Sequence, residues 1–334
     1  MKQYDVYALG NALVDIEYHC KPAKLASMEI EKGVMTLIDE HRHNHLVDFL
    51  GADHEAMASG GSAANSLIAL AQLGGRASFT CRVGNDMTGQ FFIKDLKAAG
   101  VHTNADAHLA HGEITGKCLV FVTPDADRTM NTFLGASTSL DREQVCADTL
   151  ADAAWVYLEG YLVSDERTRA AAIRARELAV EHGTQTALTL SDPNMLRFFR
   201  DGMLELIGPG IELLFANEDE VFELTGTRDP DAYIDTLSPY ARKFAVTRGA
   251  EGAVVFDGET LEQVPAPGVN AIDTLGAGDM FAGAFLYGLT HGYGYHDAGR
   301  LAALAASEIV THFGPRLPLE TTQAVMRRFN SGNI

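Results

Sequence analysis

The residues best suited to chemistry lie in a glycine-rich turn late in the chain, residues 273–279, which reads Asp-Thr-Leu-Gly-Ala-Gly-Asp. The apolar run that follows, 280–289, predicts a helix. Glycines let a backbone approach a ligand closely, and the first amide groups of a helix point outward, where its dipole favours negative charge. Gly276, Ala277 and Gly278 are therefore candidates for an anion hole at a transferring phosphoryl group.

Asp279 stands at the start of this helix, where the dipole stabilises the ionised carboxylate. Such a carboxylate beside an anion hole can accept the proton of a hydroxyl during phosphoryl transfer. The alternative is that Asp279 only caps the helix, and the adjacent glycines favour the catalytic interpretation. Two other motifs are rejected. Phe281 replaces the third glycine of a dinucleotide-binding fingerprint, and residues 112–117 are one residue short of a P-loop.

A second glycine-containing segment, residues 59–66, reads Ser-Gly-Gly-Ser-Ala-Ala-Asn-Ser and leads into a predicted helix at 62–73. Small side chains at this place allow a polar ligand to come close to the backbone. Asn65 lies on the first turns of the helix and can both donate and accept hydrogen bonds. Taken alone, the segment is more typical of a flexible loop before a capped helix.

The rest of the chain alternates short apolar runs with amphipathic stretches, which predicts parallel strands joined by helices. Strands are expected at 5–9, 77–83, 154–158, 185–190, 211–216 and 244–247. Helices are expected at 88–99, 165–182, 195–207, 219–224, 231–240, 296–312 and 320–329.

Polar side chains follow several of these predicted strands: Asn11, Glu159, Asp192, Asn217 with Glu220, and Arg248. In an open parallel sheet, ligands bind in the crevice at the carboxyl ends of the strands. Each residue could be a helix cap or a turn former when taken singly. Together they predict one polar crevice.

Three segments do not fit the alternation and are predicted to form a small exposed sheet. They are 34–38, 117–123 and 128–133, the last two joined by a turn at 124–127. Such a sheet could cover the crevice as a lid. We therefore expect one domain over 1–334, with a lid built from about 14–40 and 110–135.

Composition limits the possible partners. With 45 acidic and 26 basic residues the formal net charge is −19, which argues against nucleic-acid binding. No apolar run reaches the roughly 18 residues that a membrane span needs, and the N-terminus lacks the features of a signal peptide. The four cysteines form no CxxC pair and are interpreted as reduced, structural residues. We expect a soluble, cytoplasmic protein.

Taken together, the two glycine segments resemble the signatures of the ribokinase-like, or PfkB, family of sugar and nucleoside kinases. Residues 273–279 resemble the C-terminal signature, 60–65 the N-terminal one, and 83–86 with Gly89 a further family stretch. The resemblance covers nearly the whole chain. It implies a three-layer α/β/α sandwich with a mostly parallel central sheet and a small β-sheet lid.

The resemblance also implies roles for individual residues. Asp279 matches the catalytic base, and Gly276, Ala277 and Gly278 match the anion hole. The positions that hold ribose hydroxyls are matched by Asn11, Asp15, Gly60, Gly61 and Asn65. Contacts with the nucleotide are implied for Asn217, Thr247, Arg248, Gly249 and Gly252. Glu220 would act on Mg²⁺ through its water shell. Asp273 and the segment near Gly314 resemble a region where some relatives hold K⁺, and whether this chain needs K⁺ is left open.

A finer resemblance is to bacterial relatives of adenosine kinase, carried by 10–15, 33–37 and 128–132. It implies that Met35, Leu37 and Tyr161 enclose a base, near Glu159, although ordinary packing of the lid explains them equally well. The leading hypothesis is thus ATP-dependent phosphorylation of a nucleoside, adenosine first. The alternative is a kinase of a free sugar of the ribose or fructose type. The presence of Asp279, both glycines, Asn217 and Glu220 argues against a catalytically silent sensor, and the broken fingerprint argues against a nicotinamide-dependent oxidoreductase. Monomer and homodimer are both open.

Overall fold

The structure, a computed structural model, describes residues 2–33, 35–51, 56–124 and 128–332 of the 334-residue chain. The strands and helices of this part of the chain are numbered in chain order. Nine strands form the main sheet: β1 Tyr4–Leu9, β5 Ala77–Thr80, β6 Val101–Thr103, β9 Ala153–Glu159, β10 Gln185–Thr189, β11 Ile211–Asn217, β12 Ala241–Thr247, β13 Ala253–Phe256 and β14 Leu261–Val264.

The main sheet has the strand order β14-β13-β12-β11-β10-β9-β1-β5-β6. From β12 to β6 every neighbouring pair is parallel, and antiparallel pairing is confined to β12–β13 and β13–β14. The carboxyl ends of the parallel strands therefore meet at one edge of the sheet, as the crevice expected from the sequence requires.

Five further strands form what we call the small sheet, with the order β3-β8-β7-β2-β4. Its members are β2 Leu13–His19, β3 Met35–Leu37, β4 Ala56–Gly60, β7 Thr115–Val122 and β8 Arg128–Gly135. In β2, Asp15 is paired with Ala58 on one side and with Cys118 on the other. The sequence analysis assigns no strand to β2 or β4. Val34 of the expected strand 34–38, and residues 125–127 of the expected turn, lie outside the described residues.

Twelve α-helices are present in the described part of the chain. They are α1 Pro22–Ser27, α2 Glu40–Leu50, α3 Ser62–Leu73, α4 Met87–Ala98, α5 Ala147–Ala151, α6 Glu166–His182, α7 Pro193–Ile207, α8 Glu218–Thr225, α9 Tyr233–Leu237, α10 Ala277–Thr290, α11 Tyr295–Ile309 and α12 Leu319–Asn330. Among them, none is both long and apolar enough to cross a membrane.

Helices cover both faces of the main sheet because its strands are apolar on both sides. In β1, Val6 and Ala8 pack into a core with α3, α10 and α11, whereas Tyr7 and Leu9 point to the opposite core with α6 and α7. This confirms the predicted three-layer α/β/α sandwich.

Local chemistry explains most of the helix boundaries. Asp86, Asp165, Asp192 and Asn217 each accept a backbone N–H at the start of a helix, as N-cap residues do. The helix α2 was missed because His43, a polar residue by type, occupies its buried face beside Leu46 and Leu50. The helix expected at 231–240 is limited to Tyr233–Leu237. All four cysteines have free thiols.

Candidate active site

A cavity of about 700 Å³ lies between the small sheet and the carboxyl ends of the main-sheet strands. Most of the residues that the sequence singles out line this cavity: Asn11, Asp15, Met35, Leu37, Gly61, Asn65, Glu159, Tyr161, Asn217, Glu220, Thr247, Gly276, Ala277, Gly278 and Asp279. Gly60, Arg248, Gly249 and Gly252 are not part of the lining. The structure thus brings the two glycine segments to one place although they are more than 200 residues apart.

The carboxylate of Asp279 lies in the first turn of α10 and is held by two side chains from α3. Ser62 Oγ donates to Oδ1 at 2.6 Å, and Asn65 Nδ2 donates to Oδ2 at 3.1 Å. Both bonds favour the ionised carboxylate. Asp279 is therefore fixed at the cavity wall by the segment that the sequence identifies as the second glycine site.

Burial raises the pKa of the Asp279 carboxyl above its ordinary value, while the hydrogen bonds from Ser62 and Asn65 and the charge of Arg316 lower it. The net direction is upward. A carboxylate with a raised pKa is a stronger base than one in water, and hydrogen-bond donors around it favour its ionised form. This balance suits a group that takes a proton from an alcohol.

The glycine turn around Gly276 is imposed by close packing. Gly276 has a φ of 76°, a left-handed conformation, and caps the N-terminus of α10. A Cβ at this position would lie 2.5 Å from the carbonyl oxygen of Pro315, so no larger residue fits without a shift of the backbone. Gly278 follows in the first turn, where no preceding helical carbonyl can accept its N–H. Gly276 and Gly278 line the cavity, so their N–H groups are candidates to bind an anion, whereas the N–H of Ala277 donates to the carbonyl oxygen of Thr274 at 3.3 Å.

Glu159 connects the segment after β1 with the start of α3, and both of these line the cavity. It is fully buried; its Oε1 accepts the N–H of Asn11 at 2.7 Å and its Oε2 accepts the N–H of Ala63 at 2.8 Å. Burial raises the pKa of Glu159 to about 7, although these backbone donors lower it. With both oxygens engaged by the protein, Glu159 positions backbone groups of the cavity wall rather than presenting a free carboxylate.

Asp15 is the carboxylate that the small sheet contributes to the cavity. Burial raises its pKa to about 7; the positive charges of Arg316 and Arg128 act in the opposite direction, and Asp279 adds to the rise. A Cβ on Gly60 would collide with the Asp15 carboxylate, which explains why a glycine stands opposite it. Gly61, with a φ of 101°, similarly leaves no room for a side chain beside the carbonyl of Asn11.

The small sheet gives the cavity a mainly apolar wall. Besides Met35 and Leu37 it presents Leu13, Val120, Met130 and Leu134, together with the thiol of Cys118. Leu37 is 44% exposed in this structure, so part of the wall remains open to solvent. Tyr161 lies across from it, on the main-sheet side, where its hydroxyl donates to the carbonyl oxygen of Ser191 at 3.4 Å.

The nucleotide side predicted from the sequence contains a complete capping box. Asn217 Oδ1 accepts the N–H of Glu220 at 2.8 Å, and Glu220 accepts both the backbone N–H and the Nδ2 group of Asn217 at 2.9 Å. Glu220 is 4% exposed, and burial raises its pKa to about 8. Within the described residues, no group of three or more His, Cys, Asp or Glu side chains could hold a metal ion directly.

Arg248 is placed differently from what the sequence suggests. Its Nε lies 2.9 Å from Glu218 and its Nη2 lies 2.5 Å from Glu251, so two carboxylates already compensate its charge. Arg248 thus forms ion pairs with a carboxylate of α8 and with one in the turn that follows β12. Among the cavity-lining residues that the structure describes, the cationic side chain is Arg128.

Three polar contributors to the site escape sequence reasoning. Ser62 donates to Asp279 directly, whereas Arg316 acts on Asp279 through Asn65. Arg128, on β8, contacts the glycine turn, with its Nε 2.9 Å from Asp273 Oδ2. Ser62 could have been found from its place at the helix start beside Gly61. Nothing in the local sequence around Arg316 signals its role.

The chain belongs to the family described as pfkB family carbohydrate kinase, which matches residues 45–322. This confirms the family predicted from the two signatures. It follows that the chain is a kinase of a sugar or a nucleoside, which transfers phosphate to an alcohol group.

Two solved structures and one curated relative show how the chain is placed within this family. The crystal structure of adenosine kinase from Sinorhizobium meliloti is 37% identical, covers 97% of this chain and 99% of its own, and has a TM-score of 0.88. A probable sugar kinase protein from Rhizobium etli CFN 42 is 36% identical over 100% of both chains, with a TM-score of 0.90. Ribokinase of Lactococcus lactis is 28% identical over 78% of this chain and 81% of its own length.

Proposed function

We propose that this protein phosphorylates the primary, 5′-type hydroxyl of a nucleoside, adenosine first, with ATP as the donor. The observation that carries the proposal is the cavity itself. The Asp279 carboxylate, held by Ser62 and Asn65, lies in the same cavity as polar side chains that can bind hydroxyl groups. The small sheet adds an apolar wall to this cavity. The polar end suits a ribose and the apolar wall suits a planar ring.

Asp279 acts as the general base in this proposal. The acceptor hydroxyl gives its proton to the Asp279 carboxylate as its oxygen attacks the γ-phosphorus in line, and the bond to the β,γ-bridging oxygen breaks. The amides of Gly276 and Gly278 stabilise the charge that develops on the transferring group, and that of Ala277 joins them once its hydrogen bond to the carbonyl oxygen of Thr274 opens. Ser62 and Asn65 keep the carboxylate ionised and oriented before the acceptor arrives.

The residues near the nucleotide end fit a divalent cation that keeps its water shell. Glu220 is buried with a raised pKa, and Asp192 adds to that rise, so a nearby cation would favour ionisation of Glu220. Both carboxylate oxygens of Glu220 accept hydrogen bonds from Asn217. Glu220 would therefore contact the cation through a water molecule. Mg²⁺ bound there would neutralise charge on the triphosphate.

A requirement for K⁺ has less support. Asp273 accepts the N–H groups of Leu275 and Gly314, at 3.0 and 2.7 Å, and its Oδ2 pairs with Arg128. The charge of this carboxylate is therefore already compensated within the protein. We infer that the kinase works without added K⁺.

A substrate panel tests the nucleoside assignment. ADP formation is measured with adenosine, other nucleosides, ribose and fructose at equal concentrations, with buffer alone as the control for ATP hydrolysis. The proposal expects adenosine to give the highest kcat/KM. Turnover of a free sugar without turnover of any nucleoside would establish the alternative, which the identity to a ribokinase favours.

A matched pair of variants locates the acceptor's ring. Met35→Ala is expected to raise KM for the nucleoside by about tenfold, the order expected for losing the burial of one large apolar side chain, with KM for ATP unchanged. Met87→Ala, at a side chain that is 87% exposed, is the control.

A further inference from the structure

The guanidinium of Arg316 makes three hydrogen bonds beside the proposed base, although no side-chain contact joins it to Asp279. Its Nε donates to Asn65 Oδ1 at 3.0 Å, its Nη1 to Asp95 Oδ2 at 2.8 Å and its Nη2 to Ser59 Oγ at 2.6 Å. The side chain is 16% exposed. An arginine with three engaged nitrogens of its planar fork has one orientation available to it.

This arrangement fixes which way the amide of Asn65 faces. Arginine can only donate, and an ionised carboxylate can only accept. Asn65 lies between the two, so its oxygen must face Arg316 and its Nδ2 must face Asp279, 3.1 Å away. Turning the amide over would place oxygen against carboxylate and NH₂ against guanidinium, and both contacts would become repulsive. Asn65 itself is 7% exposed, so solvent offers it few alternative partners.

The same guanidinium is anchored to the small sheet. Asp95, on α4, accepts the backbone N–H of Ser59 at 3.1 Å and its hydroxyl at 2.5 Å. Ser59 belongs to β4, which ends at Gly60 immediately before α3. Arg316 thus joins a strand of the small sheet, α4 and the helix that carries Asn65. A displacement of β4 would be transmitted to the side chain that orients Asp279.

We propose that Arg316 is a positioning residue for phosphoryl transfer: it orients Asn65 so that Asn65 holds the Asp279 carboxylate toward the acceptor, and through Ser59 and Asp95 it links that orientation to the small sheet. The inference rests on the proposed role of Asp279 as the base. Among the described residues, the charged and titratable groups that act on Asp279 and its surroundings are Arg316, Asp15, Glu159, Tyr157 and Tyr161, with Arg128 acting on Asp15. Arg316 is the cation that acts on Asp279 itself.

Kinetics of Arg316→Gln and Arg316→Lys, with Arg300→Gln as the control, test the inference. Arg300 is a half-exposed arginine that pairs with Asp297 on α11. Arg316→Gln is expected to lower kcat by about 10- to 100-fold, the range in which misplacing a reacting group acts, with KM for ATP changed less than twofold. The acidic limb of its kcat–pH profile should move to higher pH, because a positive charge that favours the ionised base is lost. Arg316→Lys keeps the positive charge but loses the planar guanidinium that donates the three hydrogen bonds. Its kcat should therefore fall, while the acidic limb of its kcat–pH profile stays near that of the wild type.

Two outcomes overturn the inference: wild-type kcat and pH profile in Arg316→Gln, or a loss confined to KM. If Arg316→Gln fails to fold by circular dichroism, Arg316→Lys and Asp95→Asn decide. A reduced kcat with retained ATP binding in both supports the inference, and wild-type kcat in either one contradicts it. Asp279→Asn, measured in the same assay, distinguishes failure of the proposed base from failure of the proposed role of Arg316. If Asp279→Asn retains full activity, the assignment of the base fails; if it is inactive while Arg316→Gln is normal, only the role of Arg316 fails.

Discussion

Arg128 Nε, on the small sheet, lies 2.9 Å from Oδ2 of Asp273, the first residue of the glycine turn. The two side chains are 9% and 5% exposed, so this is a buried ion pair between two separate parts of the fold. Arg128 also reaches Glu17 at 3.3 Å, and among the described residues its buried Nε and Nη2 have no partner with hydrogen-bond geometry. The small sheet therefore ties a buried cation to the first residue of the glycine turn.

Replacing this arginine should affect both binding and chemistry. Arg128→Gln is expected to lower kcat/KM for ATP by about 10- to 100-fold, because it removes the cation that holds the glycine turn through Asp273, and misplacing a reacting group acts in that range. Initial rates over an ATP titration measure the effect. Arg174→Gln, on α6 with surface partners, is the control. Equal kcat/KM values for Arg128→Gln and the wild type would show that Arg128 is purely structural.

The neutral variant of the base should bind substrates but fail to turn them over. Asp279→Asn is expected to reduce kcat by about 10²–10⁴-fold, the usual contribution of general-base catalysis. In the wild type, kcat should rise with pH through a pKa above the ordinary aspartate value, since burial raises the pKa of Asp279 and the ionised form is the active one. Calorimetric titration with ATP serves as the folding and binding control. Full activity of the variant would refute the mechanism.

Glu220 should make stability depend on pH. Its pKa is raised to about 8 in the folded protein, so the folded state keeps a proton that the unfolded state releases above its own, lower pKa. The stability contribution of Glu220 is thus fully present at acidic pH and is lost as pH rises toward 8. Thermal unfolding of Glu220→Gln and wild type between pH 5 and 9 should show the variant gaining at least about 2 °C relative to the wild type.

Two controls sharpen this measurement. Glu223→Gln removes an acidic side chain from the same helix α8 while leaving the capping box intact. Addition of Mg²⁺ with ATP should raise the melting temperature of the wild type more than that of Glu220→Gln at alkaline pH. A difference between wild type and Glu220→Gln that is constant across the pH range would contradict the assignment of a raised pKa.

The charge of the cavity predicts which acceptors are excluded. Six carboxylates line it, namely Asp15, Glu159, Asp192, Glu220, Asp273 and Asp279, and the cation among the described lining residues, Arg128, already contacts Asp273 and Glu17. A second phosphate on the acceptor would meet like charges, which costs several kcal/mol. Fructose 6-phosphate should therefore neither be turned over nor inhibit phosphorylation of the accepted substrate. Competitive inhibition in the micromolar range would contradict this.

The sequence predicts the parts of the site whose chemistry is local. The glycine turn, the helix that begins there and the capping residue Asn217 were recognisable because each signal lies within a few positions. The alternation of apolar runs was likewise enough to predict the layered fold. The strand β5 ends at Thr80 rather than at 83, because apolar residues continue past the end of the pairing with β1 and β6.

The contacts that sequence reasoning missed join distant segments. Ser62 and Asp279 are 217 positions apart, and Arg316 and Ser59 are 257 apart, so only the folded chain brings them together. Arg248 is a case in which the fold adds partners that the sequence does not reveal. Its position after β12 suggests a phosphate contact, but Glu218 and Glu251 approach it in the fold and compensate its charge. Nothing in the sequence weighs such competing partners.

Glu159 accepts hydrogen bonds from two backbone amides, and these bonds limit how the small sheet can move. Asn11 lies on the link from β1 to β2, and Ala63 lies just after the link from β4 to α3, so one carboxylate ties down both connections. If the small sheet rocks against the main sheet, we expect the pivot to lie near this point. The displacement of the small sheet would then increase with distance from this pivot. It would be small beside Asp279 and greatest at the edge strand β3, which contains Met35 and Leu37.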